Sequence, residues 1–141
     1  MIRIPRKLYD EMMAHAKSEL PNEGCGYLAG VDDEVKAFYP MTNVDASPVH
    51  FAFDPKEQFK VLKEARAAGL SLISVYHSHP DSPARLSQED YRLLKDRSVI
   101  YIIVAQYPDS EAPRPNDIKG CMAYRIIDEG ESDTIEIKIE D

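Results

Sequence analysis

The chain has 141 residues, 43% of them hydrophobic and 30% charged, which is ordinary globular usage and excludes a disordered or fibrous chain. One domain spanning residues 1–141 is expected, since a chain this long buries roughly 68–70% of its unfolded surface without disulfides or structural metals. The net charge is −8, but residues 128–141 carry seven acids against one lysine, so the acidity is concentrated there and argues against nucleic-acid binding.

No run approaches the length of a membrane-spanning helix, and the opening MIRIPRKLYDEMM lacks the apolar stretch of a secretory signal. A soluble cytoplasmic protein is expected, with Cys25 and Cys121 as buried free thiols. No CxxC pair is present for a four-cysteine zinc site or a thioredoxin-like redox site.

In chain order, Leu8, Met12, Met13 and Ala16 recur at helical spacing over residues 5–19, with Pro5 suited to the first turn and Pro21 as a stop. CGYLAG and EVKAFYP flank Gly30–Asp33 as a hairpin, and His50–Phe53 reads as a further short strand. Asp54-Pro55-Lys56-Glu57 supplies an N-cap, a proline at N1 and an acid at N3. The helix that follows directs Phe59, Leu62 and Ala65 to one side and closes at Gly69.

Leu70–His79 and the nearly continuous apolar run Val99–Gln106 read as central strands. A proline-containing loop and a short helix over Ser87–Lys95 lie between them. Pro108, Pro113 and Pro115 mark another loop. Met122–Ile127 and Thr134–Ile139 finish as strands. The order predicts an α+β domain with a mixed central sheet flanked by helices.

The chemistry is concentrated in YHSHPDSPARLSQED, residues 76–90. His77 and His79 lie two apart on a strand and so project to the same side, where two imidazoles can converge on one point. Asp90 becomes a third ligand if the loop returns the next helix to that strand end, which leaves a tetrahedral ion one open position for water. Each part also has a plain structural use: Ser87-Gln88-Glu89-Asp90 is a capping box, and an HxH pair is often structural. The combination at this spacing arises by composition with a chance of about one in a thousand.

The stretch HSHP followed by LSQED resembles the JAMM (MPN-plus) metalloprotease signature HxH-x7-SxxD, matched at His77, His79, Ser87 and Asp90, with Leu86 where a proline often precedes the serine. PNEGCGYLAG, residues 21–30, resembles the family's glutamate-bearing strand and assigns that role to Glu23. Read alone, a glutamate in a Pro-Asn-Glu-Gly turn is ordinarily a solvated loop residue.

The resemblance implies an MPN-like, cytidine-deaminase-like fold. It also implies one zinc ion held by His77, His79 and Asp90, Glu23 acting on the attacking water, and Ser87 helping to hold the oxyanion. It implies hydrolysis after the C-terminal tail of a ubiquitin-like or sulfur-carrier protein, in the compact form of prokaryotic stand-alone members. Two alternatives remain open: a noncatalytic MPN scaffold, and a JAMM peptidase acting on a cell-wall or phage-tail peptide. A zinc nucleoside deaminase would need an HxE and a PCxxC, and neither is present. Ser78 should face away from the ligands, His15 lies on a helix, and His50 and Cys25 stay open as residues lining the site.

Overall fold

The structure, a computed structural model, describes residues 1–106 and 120–141. The loop expected around Pro108, Pro113 and Pro115 lies outside the described residues. In chain order the elements are β1 (Ile2–Pro5), α1 (Arg6–Ser18), β2 (Cys25–Val31), β3 (Glu34–Met41), α2 (Pro55–Ala67) and β4 (Ser71–His79). They continue with α3 (Gln88–Leu93), β5 (Ile100–Ala105), β6 (Cys121–Asp128), β7 (Glu131–Ile135) and β8 (Ile137–Glu140).

The strands form one mixed sheet in the order β7-β6-β5-β4-β2-β3-β1-β8. β2 and β3 are the expected hairpin, while β4 lies between antiparallel β2 and parallel β5. Near-continuous apolar sequence in β5 follows from this central place, covered on both faces. One face packs on α1 through Tyr9, Met12 and Ala16, against Ile2, Ile4, Leu28, Tyr76, Ile102 and Val104. The other carries α2, α3 and the loop between β3 and α2.

The α2 start is as read: Asp54 accepts a hydrogen bond from the Lys56 amide, and Pro55 opens the helix. Gly69 follows its end at φ +76°, a left-handed conformation that costs glycine little.

Three expectations need correction. Phe59 does not face the core; it is 62% exposed, because Val61 and Ala65 set the buried stripe one turn apart and Phe59 falls outside it. His50–Phe53 forms no strand: these residues lie in a loop whose Phe51 and Phe53 pack against the sheet. The final strand is two strands. β7 pairs antiparallel with β6, whereas β8 pairs parallel with β1, a strand not anticipated from the sequence. Only Glu136 separates β7 from β8, so the sheet curls around α1 until its two edges meet there, and the Ile2 amide donates to the Glu136 carbonyl.

Candidate metal and catalytic site

His77 and His79 end β4 with both rings on the α3 side, as their spacing requires. Two main-chain bonds hold that strand end: the Ser78 amide donates to the Gly24 carbonyl, and the Gln106 amide to the His79 carbonyl. The chain then turns back. His79 Nδ1 lies 2.8 Å from the Pro83 carbonyl, and the buried Tyr124 hydroxyl donates to the Ala84 carbonyl at 2.7 Å. Ser87 caps α3 with a full capping box: its Oγ accepts from the Asp90 amide and its amide donates to Asp90 Oδ2, both at 3.0 Å. The capped first turn is what delivers Asp90, which is buried, to the histidines.

His77 Nε2 and His79 Nε2 lie 3.1 Å apart. Asp90 Oδ1 is 3.2 Å from the first nitrogen and Oδ2 is 3.1 Å from the second. The carboxylate thus faces each imidazole with a different oxygen, and one ligand atom from each of the three residues lies within 4.8 Å of the others, close enough for His77, His79 and Asp90 to share one metal ion. A carbonyl can only accept, so His79 Nδ1 carries the proton and a neutral His79 presents its Nε2 lone pair to the cluster. The His77 ring is stacked on Phe51, centroids 4.9 Å apart, and its buried Nδ1 has no hydrogen-bond partner.

The electrostatics favour a cation. Burial lowers the His77 pKa, which keeps that ring neutral. Burial pulls the His79 pKa down too, but the Asp90 carboxylate and the Pro83 carbonyl outweigh it and raise the value. Burial would protonate Asp90, yet the two imidazoles against it and the hydrogen bond from the Ser87 amide hold it well below the ordinary carboxylate range. A buried carboxylate beside two imidazole nitrogens is a donor set suited to a divalent metal. It is the one such group of three His, Cys, Asp or Glu side chains among the described residues.

Glu23 is 2% exposed rather than solvated. Its Oε1 is buried without a partner, and burial, opposed by His79 and reinforced by Asp90, pushes its pKa up to about 8. The next residue, Gly24, is paired with Ser78, so Glu23 lies on the segment alongside the strand end that carries both histidines. Ser87 is exposed, and its cap uses an oxygen lone pair, so its hydroxyl proton is still available to a ligand.

Of the remaining candidates, Cys25 sits directly across from His77 in the β2–β4 register and packs in the cluster that includes Phe51, but it is outside the three-donor group, and burial pushes its thiol up to about 12. Cys121 packs in the α1 core, and both thiols are free. His50 Nδ1 pairs with Asp45 at 3.0 Å. His15 hydrogen-bonds the Tyr76 hydroxyl through Nδ1 and Glu19 through Nε2. Sequence reading passed over Asn43, which lies in the β3–α2 loop with no motif around it, and gave Ser78 no function; both bond the segment that carries Glu23.

Comparison with known proteins follows the same lines. Residues 5–119 match the family of prokaryotic homologs of the JAB domain. The chain is 32% identical over 123 residues to the CysO-cysteine peptidase of Mycobacterium tuberculosis, covering 86% of this chain and 80% of the relative. It is 40% identical over 104 residues to the probable TtuB-protein conjugate cleaving protease of Thermus thermophilus, covering 73% and 69%. A solution structure of a protein from Desulfitobacterium hafniense superposes with a TM-score of 0.83 at 39% identity, covering 100% of this chain and 94% of that one. A JAB1/MPN domain protein from Archaeoglobus fulgidus shares the fold at 21% identity, with a TM-score of 0.62 and coverage of 99% and 100%. By its sequence and its architecture, the chain belongs to the prokaryotic JAB-domain family of JAMM-type peptidases.

Proposed function

We propose that this protein is a zinc-dependent peptidase or isopeptidase that hydrolyses the bond following the C-terminal tail of a ubiquitin-like or sulfur-carrier protein. The observation that carries the reading is the convergence of His77, His79 and Asp90 within hydrogen-bond distance of one another, with the buried Glu23, its Oε1 unpartnered, on the segment paired to the same strand end. The CysO-cysteine peptidase and the TtuB-conjugate protease, both similar over most of this chain, support the substrate class. A cytoplasmic setting suits two buried, unpaired thiols.

In this reading His77, His79 and Asp90 hold the ion. When bound, zinc would supply Lewis-acid polarisation of the scissile carbonyl and bring the pKa of water from 15.7 to about 7. Glu23 takes the proton of the attacking water and returns it to the leaving amine, a task suited to a carboxylate whose pKa burial has raised to about 8, close to the working pH. Ser87 donates its free hydroxyl proton to the developing oxyanion while its oxygen still caps α3.

The test is to incubate the zinc-loaded protein with a CysO–cysteine adduct and with a TtuB–protein conjugate, with and without chelator. Release that stops on chelation is expected for at least one of them. Glu23→Gln should keep stoichiometric zinc and lose about 10²–10⁴-fold in turnover. Absence of metal-dependent release from both, or undiminished turnover in Glu23→Gln, would refute the reading.

A further inference from the structure

The side chain of Glu23 and its main chain are in opposite situations. The carboxylate Oε1 is buried and unbonded, whereas every main-chain polar group of Glu23 and Gly24 is engaged. The Glu23 amide donates to the Ser47 carbonyl at 2.8 Å, and the Glu23 carbonyl accepts from Asn43 Nδ2 at 3.0 Å. The Gly24 amide donates to Ser78 Oγ at 2.7 Å, and the Gly24 carbonyl accepts from the Ser78 amide at 3.0 Å. Two of these four bonds use side chains, and both side chains are buried.

The two side chains tie Glu23 to different elements. Ser78 is the residue between the two histidines, so its paired bonds fix Gly24 to the strand that presents both rings. Asn43 uses its whole bonding capacity: Nδ2 donates to the carbonyls of Glu23 and His50, and Oδ1 accepts from the amides of Asp45 and Ala52. It therefore locks the β3–α2 loop, which supplies the Ser47 carbonyl, against the Glu23 backbone. Beneath, Gly24 lies so close to α1 that a Cβ there would come 2.8 Å from the Tyr76 hydroxyl and 3.3 Å from the Ala16 Cα. The segment is held from three sides, and only the carboxylate is left to act.

We infer that Asn43 and Ser78 are positioning residues that aim the Glu23 carboxylate at the three-donor cluster by holding the carbonyl and the amide of the Glu23–Gly24 peptide. The inference rests on the reading of Glu23 as the proton-transfer group. Neither residue touches substrate or metal in this role. A near-attack geometry that slips by about 1 Å can cost about 10²-fold in rate, and these bonds are the ones that prevent such a slip.

The experiment compares wild type with Ser78→Ala, Ser78→Thr and Asn43→Asp, all zinc-loaded, using the CysO–cysteine adduct and the TtuB–protein conjugate. Zinc stoichiometry and hydrogen exchange of the Glu23 and Gly24 amides are followed alongside. Ser78→Ala removes the acceptor for the Gly24 amide. Asn43→Asp keeps the shape but sets an acceptor against two carbonyls.

Both are expected to retain one zinc, to speed exchange at residues 23–24, and to lower kcat about ten- to a hundredfold with KM nearly unchanged. Ser78→Thr, which keeps the hydroxyl, should restore most of kcat. The two variants lie on different elements, so a folding defect in one leaves the other to decide. No turnover by wild type refutes the reading of the site and this inference with it. Wild-type turnover with kcat undiminished in either folded variant, or with exchange at Gly24 unchanged in Ser78→Ala, overturns the inference alone.

Discussion

At the scale of single residues, the observed cap by Ser87 and its proposed hydrogen bond to the oxyanion separate cleanly, because one needs its oxygen and the other its proton. Ser87→Ala is expected to lose about 1 kcal/mol of stability from the cap and about 2.7–4 kcal/mol of transition-state stabilisation from the oxyanion. Ser87→Asp retains a capping acceptor but offers no hydroxyl proton, so denaturant unfolding should return to near wild type while turnover does not. Recovery of turnover in Ser87→Asp would remove Ser87 from the chemistry.

His15 supplies a pH prediction. Burial lowers its pKa below the ordinary 6.5, so the unfolded chain binds the proton more readily and this contribution to stability is lost as pH falls below about 6.5. The stability advantage of wild type over His15→Gln should therefore grow between about pH 5 and 7 and level off above. An advantage that instead grew on acidification would contradict the burial argument.

At the scale of elements, the site is a strand end and a helix start brought together by a short return loop. α3 has only six residues, so it depends on its capping box and on the bracing of residues 80–86 more than on its own propensity. Tyr124, reaching from β6 to the Ala84 carbonyl, is one such brace. Tyr124→Phe leaves a buried carbonyl without that donor and should cost about 1–3 kcal/mol of stability. It should also loosen Asp90, seen as faster zinc loss to a competing chelator. Unchanged zinc retention would show that the capping box alone fixes the ligand.

At the scale of the whole molecule, the apolar core and the donor cluster are separable. The α1 core contains none of the three candidate metal ligands, and among the described residues no helix is long and apolar enough to cross a membrane. Chelation should therefore leave the far-ultraviolet circular dichroism unchanged and lower Tm by roughly 5–15 °C, the loss of binding free energy alone. Global unfolding on chelation would mean that the ion is structural.

Much of this was written locally. The helix start at Asp54-Pro55, the hairpin of β2 and β3, and the return from His79 to Asp90 depend on neighbours close along the chain, and their signals are local for that reason. HxH and SxxD are legible because a strand's period of two and one helical turn determine where those side chains point. Tertiary structure decided the rest. β1 exists because it is held between β3 and β8, the latter some 130 residues onward, and the unbroken alternation of Ile135, Ile137 and Ile139 gave no sign that Glu136 crosses from one sheet edge to the other. Glu23 reads as a solvated turn residue until Ser47, Asn43 and Ser78, from a distant loop and strand, close around its main chain. Local chemistry chose the donors at residues 77–90, but only long-range packing could take a polar turn out of water and set its carboxylate beside them.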